Sequence, residues 1–194
     1  VLDPVAWSTG EPGNQLPFST RLGSPIGAQD TLAEFFRLCD GAGDRCSFAP
    51  ESSARFEALA AKLLTDGPIT VTVEVEPGVF VEFPFAYGDL IGMSLGAMYD
   101  SFGWPVFAAD LAFIEAEAAG VATAPRPGFD VGGSGTLGYT SKRGFPRYTN
   151  VLEGFPAVAC ADSDNPDTID AWIAAAGEIS FDAYFRPLWT YASS

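Results

Sequence analysis

Apolar residues recur along this chain with two periods, and each period marks a kind of element. After Asp30-Thr31, where an acid occupies an N-cap position, Leu32, Phe35, Phe36 and Cys39 fall on one helical face that Gly41 and Gly43 end. A second helix is written over 51–66, entered after Pro50, with Phe56, Leu59, Ala60, Leu63 and Leu64 on its stripe and Gly67-Pro68 as its stop. The period then drops to two. Ile69 to Val75 alternates β-branched and polar residues, Glu76-Pro77-Gly78 turns, and Val79 to Phe83 returns, which predicts a small, peripheral β-hairpin over 69–83. Helical spacing resumes over 87–100 and 104–119, an expected antiparallel pair, and again over 167–176 and 181–191, whereas Ala157 to Ala161 reads as a short buried strand.

Between these patterns lie stretches with neither period. Residues 1–27 are rich in Pro, Gly, Ser and Thr and read as an irregular connection, and residues 120–156 form a loop-rich excursion containing Pro125-Arg126-Pro127-Gly128 and Gly132-Gly133-Ser134-Gly135. The expected organisation is a connection over 1–27, a helical region over 28–156 that includes the hairpin and the excursion, and a returning strand and helices over 157–194. No internal repeat is visible.

Composition narrows the function. The 194 residues hold 10 Lys+Arg against 25 Asp+Glu, a formal charge of −15, so phosphate backbones and anionic lipid surfaces are repelled and nucleic acid is excluded as a partner. No run of apolar residues is long enough for a membrane span, and no basic segment followed by an apolar one opens the chain, which begins at Val1 as a processed piece would. Hydrophobic residues make up 47%, enough for a real core. There is no histidine, so a Ser-His-Asp or Cys-His triad cannot be assembled from these residues alone. The acid excess is by default a solvated surface. Its sharper reading is attraction of a cationic group such as a peptide α-ammonium.

Three cysteines leave one odd. Cys39 and Cys46 flank a Gly-rich turn and predict a local disulfide, hence an oxidising, secreted or periplasmic setting, because a tetrahedral metal site would need further Cys or His. Cys160 is then either a buried free thiol or the partner of a cysteine outside these residues.

Three segments resemble chemical motifs and fail on context. Gly92-Met93-Ser94-Leu95-Gly96 fits the G-x-S-x-G elbow, but it lies in a helical run and has no base to take the serine proton. Its glycines read as close-packing positions. Val131 to Thr136 is glycine-rich like a phosphate loop yet lacks the following Lys and helix, so it reads as a linker. The alternating acids of 162–167 suggest a calcium loop, but Pro166 stands where the third ligand belongs, and helix capping by Asp164, Asn165 or Asp167 explains them more simply. No metal or cofactor is expected.

Leu2-Asp3-Pro4-Val5-Ala6-Trp7, Phe36-Arg37-Leu38-Cys39 with Arg45-Cys46-Ser47-Phe48, Tyr99-Asp100 with Trp104-Pro105, Phe155 to Asp162, and Pro187-Leu188-Trp189, in this order and spacing, resemble the middle of the actinobacterial tripeptidyl-aminopeptidase-like α/β-hydrolases. The similarity spans nearly the whole chain. It implies a mainly α fold, an α-helical cap or lid with a small β-hairpin, inserted in the α/β-hydrolase core of a secreted serine exopeptidase. The catalytic Ser would lie before Val1 and the Asp and His after Ser194, so no catalytic residue is carried onto this chain. Cys160 would pair with a cysteine beyond Ser194. The implied partners are that core and a peptide or ester substrate, and Phe129, Tyr139, Tyr148 and Glu153 on the excursion are the candidate substrate contacts, against core packing for the aromatics and plain solvation for Glu153. The alternative from a different class is a stand-alone acidic extracellular binding module without activity.

Overall fold

The computed structural model describes residues 23–121, 126–127, 165–178 and 184–185. Within them the chain is mainly helical with a small sheet. Contacts divide it into two compact units, Val1–Gln29 with Thr136–Ser194, and Asp30–Gly135 placed between those stretches in the sequence.

The first helix, α1, runs Ser24–Ala42 and so starts before the expected Asp30, inside the stretch read as irregular. Its start carries no capping side chain that sequence could flag. Gly23, at φ +68°, instead accepts from the N–H groups of Ile26 (3.0 Å) and Gly27 (3.1 Å), and Pro25 supplies a preset helical φ in the first turn. Leu32, Phe35, Phe36 and Cys39 form its buried face, as their spacing predicts. Gly41 lies inside the helix, which passes at Gly43 into a 3-10 turn, Gly43–Arg45.

Just beyond that turn Cys46 is bonded to Cys39, with Cα atoms 5.3 Å apart. This is the predicted local disulfide, and it turns the chain back beside the end of α1. Helix α2 spans Ser52–Asp66 and buries Phe56, Leu59, Ala60 and Leu63, whereas Leu64, expected on the same stripe, is exposed. Its N-cap residue Glu51 has a left-handed φ of 58° and makes no side-chain cap. Asp40 of α1 takes that part, accepting from the Ser52 N–H at 3.1 Å, while the buried Ser52 hydroxyl donates to the Phe36 carbonyl at 3.1 Å. The α1–α2 junction is thus closed by one covalent bond and two hydrogen bonds.

Strands β1 (Ile69–Glu76) and β2 (Val79–Phe85) pair antiparallel in the predicted hairpin, with Val71 across from Phe83 and Val73 across from Val81. Gly78, at φ +78°, makes the turn, and its N–H donates to the Glu74 carboxylate at 2.7 Å. The hairpin is not peripheral along its whole length: Val71, Val73 and Phe85 are buried, and β1 packs on the helix over Trp104–Ala118. A two-residue strand, β3 (Arg126–Pro127), adds parallel to the other side of β1, giving the order β2-β1-β3. It falls in the stretch read as loop, since two residues carry no readable period.

Helices α3 (Tyr87–Met98) and α4 (Trp104–Ala118) follow, joined by a 3-10 turn, Ser101–Gly103. Asp89 accepts from the Ala86 N–H at 2.8 Å and so closes the start of α3. Aromatic rings lock the unit. Phe35 lies 4.8 Å from Phe107, 5.5 Å from Phe36 and edge-on to Trp104 at 5.7 Å, and Phe36 lies 5.3 Å from Phe56. From α2, Arg55 donates through Nε to both Glu115 carboxylate oxygens (3.0 and 3.2 Å), through Nη2 to Oε2 of the same group, and through Nη1 to the Ala49 carbonyl (3.2 Å), while lying 4.4 Å from the centre of the Phe48 ring.

In the other unit α5 covers Ile169–Glu178. The capping hydroxyl belongs to Thr168, which accepts from the Ala171 N–H at 3.3 Å, just past the acids read as caps. Trp172 is buried and its indole donates to the Pro166 carbonyl at 2.8 Å. Of the expected 181–191 helix only Tyr184 and Phe185 are described, in a turn whose Tyr184 N–H donates to Gln29 at 3.2 Å. The expected strand at 157–161 lies outside the described residues.

Three stability changes follow. Arg55→Met should lower the unfolding free energy by about 2 kcal/mol, and Glu115→Gln, which keeps one acceptor for the guanidinium, by about 1 kcal/mol, read from urea midpoints at constant slope. Replacing both Cys39 and Cys46 by alanine opens a short loop and should cost about 2.5 kcal/mol in the same assay.

Candidate functional site

Ser94, the serine of the G-x-S-x-G segment, sits in surroundings that do not suit a nucleophile. It is fully buried inside α3, and its hydroxyl donates to the Leu90 carbonyl one turn back at 2.7 Å. No strand leads into it, and the chain has no histidine to accept its proton. The close-packing reading of the flanking glycines fails at Gly92, where an added Cβ would meet nothing within 4 Å.

Arg55 is the most heavily engaged cation among the described residues, and it is not a free anion receptor. Its hydrogen bonds to Glu115 hold the proton on the guanidinium more tightly than usual, against the opposing effect of burial. Arg37 acts likewise on the exposed Glu34, whose carboxyl it holds below the usual range. Burial alone pushes the Tyr87 phenol up. These shifts come from pairs and packing that maintain the fold. Among the described residues no group of three His, Cys, Asp or Glu side chains could hold a metal, and no helix is long and apolar enough to cross a membrane.

The candidate contacts Phe129, Tyr139, Tyr148 and Glu153 lie outside the described residues, as do Cys160 and the acids of 162–164. What the structure adds is a surface that periodicity does not reveal. At the α3–α4 corner Tyr99 is 70% exposed and Phe102 is 94% exposed, with Val106 also exposed one turn into α4. The corner is firmly braced. Asp100 accepts from the Phe102 N–H at 3.0 Å, the Asp100 carbonyl accepts from the Gly103 N–H at 3.1 Å, and the Trp104 indole reaches back to the Ala97 carbonyl at 3.0 Å. Trp104 is itself edge-on to Phe35 in the core. Phe102 is therefore held out to water by rigid neighbours, an arrangement suited to docking an apolar surface.

Because Gly92 is helical and has open space at its Cβ, Gly92→Ala should raise the unfolding free energy by about 0.5–1 kcal/mol. A fall in the denaturation midpoint would restore a packing role for that glycine.

No protein-family model, curated protein or solved structure matches this chain.

Proposed function

We propose that this chain is the lid of a secreted serine hydrolase, covering and selecting substrate for a catalytic core that other residues supply. The observation that carries the reading is the braced corner at Tyr99 and Phe102, where large apolar side chains are held out to water. Two further features agree with it. Ser94 is spent on a helix carbonyl, so the hydroxyl of the one G-x-S-x-G segment has no catalytic part. The Cys39–Cys46 disulfide is of the kind that persists in oxidising compartments.

On this reading the reaction is acyl transfer to water through an acyl-enzyme, with Ser, His, Asp and the oxyanion hole all in the core. The lid excludes water and admits a peptide with a free amino terminus, from which short N-terminal units are released. The negative charge of the chain suits the approach of such an ammonium group.

The test uses the protein expressed from its complete reading frame. A fluorophosphonate should label a serine outside residues 1–194 and leave Ser94 untouched. Phe102→Asp should lower kcat/KM for a fluorogenic peptide amide by about tenfold, with circular dichroism unchanged. Absence of any labelled serine overturns the hydrolase reading in favour of an acidic binding module, and labelling at Ser94 overturns the assignment of that residue.

A further inference from the structure

The hairpin carries a second surface, independent of the lid reading. In the order β2-β1-β3, strand β2 is an edge, and no described strand pairs with its outer side. An edge strand exposes a row of backbone donors and acceptors, which proteins commonly blunt with lysine, proline or a covering element. Here the proline comes late, at Pro84, and the residues before it are uncovered: Val79 is 46%, Phe80 53% and Val81 43% exposed. The base of the hairpin lies in the core while its tip stands clear.

Register divides the tip into two chemically distinct faces. Val81 lies across from the buried Val73, so Val79 and Val81 continue the apolar inner face of the sheet outward. Phe80 lies across from Glu74 and Glu82 across from Thr72, so the opposite face carries an aromatic ring among carboxylates, while Glu76, past an irregularity in β1, lies across from Val79 and is exposed beside the turn. Nothing in the local sequence balances these charges. No lysine or arginine occurs between Lys62 and Arg126, and Arg126 enters the sheet on the far side of β1.

We propose that Val79–Glu82 is a docking edge for a cationic, extended polypeptide in which apolar and basic residues alternate, added to β2 as a further strand. Main-chain hydrogen bonds would hold it, its apolar residues would meet Val79 and Val81, and its lysines or arginines would face Glu82, with Glu76 beside the turn adding to the negative field at the tip. Charge selects this occupant over a second copy of the chain, because joining two such edges brings carboxylates together at the same place. Pro84 has no N–H to give and sets the end of the docking edge, so the added strand is short.

The probe is a capped hexapeptide of alternating valine and lysine, titrated into the full chain and followed by backbone amide NMR and fluorescence anisotropy. Its binding should move the amide signals of residues 79–82, and a valine–glutamate hexapeptide should not bind. The double substitution Glu76→Lys and Glu82→Lys, at exposed positions, should weaken binding about tenfold with the fold intact by circular dichroism. Two further peptides, N-methylated at alternate bonds, separate strand addition from charge attraction. One should lose binding and the other keep it, since only one edge of an added strand faces β2. Equal binding of both methylated peptides, signals moving elsewhere, an unaffected double variant, or self-association through this edge would each overturn the proposal.

Discussion

Arg55 leaves the first turn of α2, lies over the Phe48 ring, donates to the Ala49 carbonyl and closes on Glu115, 60 residues further along in α4. A guanidinium suits this position because its planar fork serves a carboxylate, a carbonyl and an aromatic face at once, which a lysine ammonium could not do in the same geometry. Phe48 and Ala49 belong to the short link that the Cys39–Cys46 bond and the Asp40 cap hold against α1. The two helices that begin the middle unit are therefore tied to the helix that ends its main packing by one partly buried ion pair. With that tie in place, the aromatic rings of α1, α2 and α4 meet at tilted angles, and β1 has a helix to cover its valines.

Much of this architecture was legible in the chain. The apolar stripes of α2 and α4, the alternation of the hairpin, the stop at Gly67-Pro68 and the local disulfide all rest on patterns within a dozen residues, which is the range over which backbone periodicity and turn chemistry act. Where reading failed, the determinant was not local. α1 begins at Ser24 through a backbone cap on Gly23, a contact that leaves no signature side chain. The cap of α2 comes from Asp40, twelve residues away, and β3 exists only because β1 offers it an edge. The burial of the hairpin base depends on α4, which no property of residues 69–83 foretells.

The functional surface was less legible for a related reason. Ser94 of the G-x-S-x-G segment was set aside for its helical context and the lack of a base, and the helix is there, yet the feature that replaces it as a candidate, the corner at Tyr99 and Phe102, is invisible to pattern. An aromatic residue between two helical runs reads as core by default, and only the bracing by Asp100 and Trp104 turns Phe102 outward. The proposed contacts at Phe129, Tyr139, Tyr148 and Glu153 lie outside the described residues and gain no support from the fold.

The small strand β3 also bears on how this protein meets proteases. Trypsin cuts after lysine and arginine, and the sequence between Lys62 and Arg126 has neither. The Arg126–Pro127 bond is an imide, which trypsin does not hydrolyse, and both of its residues are paired to β1. Digestion of even the unfolded chain therefore passes over the hairpin, α3 and α4 and resumes at Lys142, so this part of the protein leaves as one long acidic peptide. An enzyme that selects basic side chains has no scissile bond in the segment carrying both proposed docking surfaces.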